Sequence, residues 1–252
     1  VSRNRSLRAG APQGAIPAGR PEATVIDLQA AAERRRGSDL QPSRGDAPVR
    51  ESWIGRTIDI AIAALAVLFA APLLIALAAA IYLQDGGAPV FAQSRVGLGG
   101  RRFRCLKFRT MVVNSNESLE QLLASNPAAR EEWERDQKLR DDPRITPLGR
   151  FLRKSSLDEL PQLFNVLAGD MAIVGPRPIV EAEVHRYGRR FRDYCAVRPG
   201  ITGLWQVSGR NDVSYRRRVA MDVAYTRSKC LRLDMKILLA TVPVVLMRQG
   251  SY

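Results

Sequence analysis

Between Ile60 and Gln84 the chain carries no charged residue. The run from Ile60 to Leu83 exceeds the about 20 apolar residues that a helix needs to cross the hydrocarbon core of a bilayer. No other stretch restricts the fold so much, because a helix apolar on every side has no face to offer water. Two features argue against a plain crossing. Pro72 stands at the centre of the run, where it removes a helical hydrogen bond and kinks the axis. Basic residues flank both ends: Arg50 and Arg56 precede the run, and Arg95, Arg101, Arg102, Arg104, Lys107 and Arg109 follow it. Positive flanks mark the cytoplasmic side. The pattern therefore predicts a membrane helix over 51–85 that bends at Pro72 and returns to the leaflet it entered; an ordinary kinked span is the alternative.

The segment before this helix, 1–50, is rich in Arg, Ala, Gly, Pro and Ser and has only a short apolar patch at Val25 to Ala32. Such a composition buries too little to offset its ordering entropy and predicts a disordered basic arm with no secretory leader in its first thirty or so residues. Residues 86–252 are left to form one folded domain. A net charge of +14, from 39 basic and 25 acidic residues, points to an anionic partner: a nucleotide, a nucleic acid or a membrane surface. Cys105, Cys195 and Cys230 are scattered and unpaired in spacing, which fits a reducing compartment and argues against a disulfide framework or a zinc site. His185 is the only histidine, on a polar helical segment that suits a surface position.

Within the domain, Val90 to Val96 and Phe103 to Phe108 read as a β-hairpin turned by Gly97-Leu98-Gly99-Gly100. Lys107 and Arg109, two residues apart, share one face of the second strand and suit a phosphate or a membrane surface. Helices are predicted at Glu117 to Ala124 and Ala128 to Leu139, then a short one capped by Thr146-Pro147. The central stretch joins Asp158 and Glu159 to Gly169-Asp170 and to Arg177, which is locked between Pro176 and Pro178. Pro161 is comfortable only in a first helical turn, so a helix opens close to Asp158; alternatively Ser156 and Glu159 form a capping box. In either register the two carboxylates sit at a positive helix end, with Leu160, Leu163, Phe164 and Leu167 facing inward. Further on, Arg198-Pro199-Gly200-Ile201-Thr202-Gly203-Leu204-Trp205-Gln206 and Ser208-Gly209-Arg210-Asn211 form a glycine-punctuated loop of ligand-site composition, in which Trp205 serves either a ligand or the core. Leu231 to Met247 is too short to span and reads as an amphipathic helix lying in the membrane interface.

Lys107-Phe108-Arg109-Thr110-Met111, Ser156-Leu157-Asp158-Glu159-Leu160-Pro161-Gln162, Gly169-Asp170-Met171, Val174-Gly175-Pro176-Arg177-Pro178 and Pro199-Gly200-Ile201-Thr202-Gly203 stand in this order. Over roughly 54–252 the chain thereby resembles the bacterial sugar transferases, the monotopic phosphoglycosyl transferases, and in particular members that initiate exopolysaccharide. It departs from many of them at Ala71-Pro72, where they have Ser-Pro.

The resemblance implies an α+β fold: a re-entrant membrane helix, then a small, mostly helical catalytic domain with a short β-hairpin and interfacial amphipathic helices. It implies transfer of galactose 1-phosphate or glucose 1-phosphate from a UDP-sugar to undecaprenyl phosphate, on the cytoplasmic face of the bacterial inner membrane. Asp158 would be the nucleophile that forms an aspartyl phosphosugar, and Glu159 the ligand of Mg²⁺. Arg177, Lys107, Arg109, Arg198 and Arg210 would bind substrate. The expected partners are the UDP-sugar, the lipid phosphate and the bilayer, with no nucleic acid and with room for a homo-oligomer. A membrane-bound nucleotide-sugar hydrolase and a non-catalytic basic adaptor are the alternatives.

Overall fold

The structure, a computed structural model, describes residues 52–136, 139–208 and 213–246; the basic arm lies outside them. The apolar run forms α1, a 33-residue helix over Trp53–Asp85 that continues through Pro72. Gly86 ends it in the left-handed conformation, at φ 69°, with its N–H on the Tyr82 carbonyl. That conformation disfavours any side chain.

Both faces of α1 are apolar, and they differ in what they meet. Ala63, Leu74, Leu77 and Ile81 are buried, and Ala66, Ala70 and Ala78 pack beside them. Leu65, Leu68, Phe69, Ile75 and Leu83 point outward, each between 67% and 93% exposed. The exposed face suits lipid: removing five such side chains from water is worth roughly 10 kcal/mol. Both ends are fastened to the same domain. Arg56 donates to the Val166 and Met171 carbonyls, and Asp59 Oδ1 accepts from the Ile173 N–H at 3.1 Å. At the other end Arg109 holds both Asp85 carboxylate oxygens at 2.6 Å and donates to the carbonyls of Ile81, Gly87 and Ala88.

The predicted hairpin is present as β1, Val90–Val96, antiparallel to β2, Arg102–Phe108, turned through Gly99 and Gly100 at φ 65° and 74°. Next come α2, Ser115–Ser125, and α3, Pro127–Asp136. Asn126 closes the first and starts the second, its Oδ1 accepting the Ala129 N–H. Leu139, the predicted end of α3, lies outside a helix. Thr146 caps α4, Pro147–Ser155, as expected, its hydroxyl accepting the Gly149 N–H at 2.9 Å.

Neither predicted register of the central stretch holds. Ser156 ends α4 in the left-handed conformation at φ 57° without a side-chain cap bond. Asp158 and Glu159 occupy a 3₁₀ turn, Leu157–Glu159, and Pro161 immediately precedes α5, Gln162–Ala168. The acids therefore project from a tight turn between two helices rather than from a helix end. Phe164, expected inside, is 45% exposed, because α5 turns Gln162, Leu163, Asn165 and Val166 to the interior instead.

The segment Ala172–Val174 forms β3, which pairs in parallel with β4, Gly200–Thr202. The glycine-rich loop thus contributes a strand. Between these strands run α6, Val184–Tyr187, and α7, Phe191–Cys195; after them come α8, Leu204–Val207, α9, Tyr215–Ser228, and α10, Leu231–Leu246. Trp205 is a core residue, 5% exposed under the Arg218 guanidinium. On α10, Ile237 is buried while Leu231, Met235, Leu239 and Val242 form an exposed apolar stripe, the pattern of an interfacial helix.

Under α6, Asp222 is 2% exposed, with the Tyr187 hydroxyl on Oδ2 at 2.7 Å and no partner for Oδ1 among the described residues. Burial pushes its carboxyl up to about 7, against the pull of Tyr187 and Arg218. Below about pH 4 the group is protonated whether folded or unfolded. Between pH 4 and 7 only the folded chain keeps the proton, so the stability this group contributes declines as pH rises through that window. Asp222→Asn should flatten this slope, read as urea midpoints between pH 4 and 7 in detergent.

Candidate functional site

Two backbone features bring the acidic turn and the cations together. The first is the approach of the chain around Gly175 to β4. A Cβ on Gly200 would lie 2.0 Å from the Gly175 nitrogen, one on Gly175 2.5 Å from the Arg198 carbonyl oxygen, and one on Gly203 2.3 Å from the Gly175 carbonyl oxygen. Only glycine fits at these positions, and the contact sets where Pro176-Arg177-Pro178 leaves the core. The second is Asn165, 3% exposed on α5. Its Oδ1 accepts the Leu106 N–H at 2.9 Å, and its Nδ2 donates to the Arg104 carbonyl at 2.8 Å. This buried amide sews α5 to β2 and so fixes Lys107 against the turn.

Lys107 Nζ lies 2.7 Å from Glu159 Oε1 and 3.9 Å from Asp158 Oδ2. Arg153, anchored through Nε to the Thr110 hydroxyl at 2.8 Å, adds its charge to the field at Asp158. Arg177 is half-buried and makes no hydrogen bond or ion pair among the described residues. A small cleft beside the turn is lined by Arg95, Lys107, Glu159, Gln162, Arg177 and Gln206; Asp158 and Arg153 flank it without belonging to its lining.

The environment drives the two carboxyls apart. Burial pushes Asp158 up to about 6; Lys107 and Arg153 oppose the rise, and Glu159 adds to it. Burial acts on Glu159 too, but Lys107, Arg177 and Arg95 outweigh it and hold this carboxyl below the usual range. At neutral pH both are ionised, and Asp158 is the more basic oxygen nucleophile.

Of the residues expected at the site, Asp158, Glu159, Lys107 and Arg177 are brought together. Arg109 is not among them: its donors are committed to Asp85 and to carbonyls at the C-terminal end of α1. Arg198 donates through Nε to the Gly169 carbonyl at 2.7 Å, bracing the end of α5 rather than lining the cleft. Arg210 lies outside the described residues. Sequence reasoning did not single out Arg95, counted only as flanking charge, or Arg153, and it reached Gln206 only as part of the glycine-punctuated loop. No local signal separates the two arginines from ordinary surface residues, since tertiary packing decides where they point.

Among the described residues no group of three or more His, Cys, Asp or Glu side chains gathers as a metal cage. The two adjacent carboxylates instead suit Mg²⁺, which takes one or two protein carboxylates and completes its shell with water and substrate phosphate.

Paired carboxylates facing an ammonium and guanidinium groups suit a phosphate-bearing ligand, on a domain that carries a lipid-suited helix. The model of the family described as "Bacterial sugar transferase" matches residues 50–248, and the chain belongs to that family. It is 51% identical over 215 residues to a UDP-galactose-lipid carrier transferase of Erwinia amylovora, covering 84% of this chain and 44% of that one. It is 52% identical over 200 residues to an undecaprenyl-phosphate galactose phosphotransferase of Salmonella typhimurium, covering 79% and 42%. With the exopolysaccharide production protein ExoY of Sinorhizobium fredii it shares 48% identity over 197 residues, covering 78% and 87%. The chain thus spans under half the length of the first two relatives.

Lys107 opposes the burial of Asp158, so Lys107→Met should move the Asp158 titration above about 6. Carboxyl ¹³C NMR against pH reads that shift, and an unmoved titration would remove Lys107 from the field at this carboxylate.

Proposed function

We propose that this chain transfers a sugar 1-phosphate from a UDP-sugar to undecaprenyl phosphate at the cytoplasmic face of the inner membrane, the first step of exopolysaccharide assembly. The observation that carries this reading is Asp158, a carboxylate raised by burial yet ionised at neutral pH, set beside Lys107 and Arg153 and next to Glu159, on which Arg177 acts. Family membership and the names of the relatives support the direction of transfer and the lipid acceptor.

In the first half-reaction Asp158 attacks the sugar-bearing phosphorus. The P–O bond to the uridylate phosphate breaks, its electron pair leaves with UMP, and an aspartyl phosphosugar forms. Arg177, whose guanidinium has no competing partner among the described residues, is free to take a phosphate oxygen pair in its planar fork. Lys107 and Arg153 hold charge against the anionic substrate before and after cleavage. Glu159 is the residue that would hold Mg²⁺, whose contribution is to neutralise charge on the phosphate oxygens. In the second half-reaction a lipid phosphate oxygen attacks the same phosphorus and the Asp158 carboxylate leaves.

Enzyme mixed with Mg²⁺ and UDP-galactose or UDP-glucose, without lipid, should acquire a phosphosugar adduct visible by intact mass and absent from Asp158→Asn. Kinetics of direct displacement with no adduct would overturn the nucleophile. Arg177→Lys keeps the charge but loses the fork, and its transfer rate should fall on the order of 10²-fold while thermal stability is unchanged.

The fastening of both ends of α1 to one domain supports a helix that returns to the cytoplasmic leaflet. Cysteines introduced at Arg50 and at Gly99, in a protein whose native cysteines are replaced, should both be labelled from the cytoplasmic side. Labelling of either from the periplasm would establish a crossing. Pro72→Leu should make the labelling at position 50 mixed.

A further inference from the structure

Two polar atoms on the walls of the cleft are closed off from solvent and have no hydrogen-bond partner among the described residues: Arg95 Nε and Gln206 Oε1. They are opposite in kind, one a donor and one an acceptor. An orphaned buried polar group costs stability, and a folded chain rarely keeps two in one small space without something to satisfy them.

The rest of each side chain is fixed. Arg95 stands on β1, opposite Phe103 of β2. Its Nη1 donates to the Pro178 carbonyl at 3.0 Å and its Nη2 to Gln93 Oε1 at 2.6 Å, and Glu183 lies 3.9 Å from Nη1. Each outer nitrogen is already engaged, and Nε is the buried nitrogen left without a partner among the described residues. Gln206 sits on α8, directly after the close backbone contact at Gly203. Its Nε2 donates to the Ile201 carbonyl at 3.1 Å. That bond settles the orientation of the amide, because a carbonyl oxygen turned towards Ile201 would meet another carbonyl oxygen. The oxygen left over is an acceptor that needs an O–H or N–H.

A phosphate can satisfy Arg95 but not Gln206, since an ionised phosphate has no proton to donate. The ligand that satisfies both carries a hydroxyl close to a phosphate. We propose that Arg95 and Gln206 form a hydroxyl-reading subsite. Arg95 Nε donates to a phosphate oxygen of the donor, and Gln206 Oε1 accepts a hydrogen bond from a hydroxyl one sugar ring away. This rests on the sugar-phosphate transfer reading and adds the feature that selects among donors. Arg95 also positions Arg177, since it holds the carbonyl of the residue that follows it.

The test compares wild type with Gln206→Met, which keeps the length and loses the acceptor. The substrates are UDP-galactose, UDP-glucose, their singly deoxygenated hexose analogues, and the same donors built on 2′-deoxyuridine. In wild type, removal of one hydroxyl should lower kcat/KM roughly 10- to 100-fold. In Gln206→Met that same removal should cost less than about 3-fold, because the group that sensed it is gone. The hexose series identifies a sugar hydroxyl and the deoxyuridine series a ribose hydroxyl. Being a ratio, the readout does not move when the variant is merely less active. If Gln206→Met turns over too slowly, the same ratio is taken from binding of parent and deoxy donors to Gln206→Ala, by thermal-shift titration.

Undiminished discrimination in the variants overturns the proposal, as would be found if an ordered water served both orphan atoms. Wild-type indifference to every deoxygenation overturns it as well. A wild-type protein that transfers from no UDP-sugar is a separate result, which removes the transfer reading and this subsite with it.

Discussion

The contact between Gly175 and Gly200 is the constraint on which the site depends. Two backbones meet where a single added carbon would sit 2.0 Å from a main-chain nitrogen. That closeness lets β3 and β4 pair in parallel, carries Arg177 out of the core beside the acidic turn, and delivers Gln206 to the other wall of the cleft. Loss of a glycine here would act through geometry, because the segments would have to separate before any side chain was accommodated. Asn165 does the corresponding work on the strand side: its amide bonds to β2 at two points and leaves Lys107 no latitude along the strand.

Around that frame the basic excess of the chain is divided between two tasks. Lys107, Arg153, Arg177 and Arg95 converge on the two carboxylates, where burial and their charge set Asp158 near neutrality and Glu159 well below it. Arg56, Arg109 and Arg198 instead bind main-chain carbonyls or a helix-terminal carboxylate and hold the scaffold. Sequence alone makes both groups look like one basic surface. Arginine suits the second task because its fork reaches several acceptors at once.

The long apolar helix also braces the site. Its packed face lies on α5 and β3, and Arg56 holds the carbonyls of Val166 and Met171. The helix is therefore bonded to the element that carries Asn165.

What the sequence determined by itself were the features with a local cause. The uncharged run makes an apolar helix whatever surrounds it; glycines turn the hairpin because φ is positive there; Thr146-Pro147 starts a helix because its first amides need no helical acceptor. The order of motifs around Asp158, Glu159 and Arg177 was enough to point to phosphate chemistry and to the family. Tertiary structure decided what depends on partners distant in the chain. The acids lie in a 3₁₀ turn rather than at a helix end, because α4 and α5 are held by different neighbours and the chain between them must tighten. Phe164 faces out because the buried amide of Asn165 bonds to β2 and turns that side of α5 inward. Arg109 left the site for Asp85, Trp205 joined the core, and Arg95 and Gln206 entered the cleft. Each of these depends on which backbone segments approach one another, and a residue's own neighbours in sequence carry no record of that.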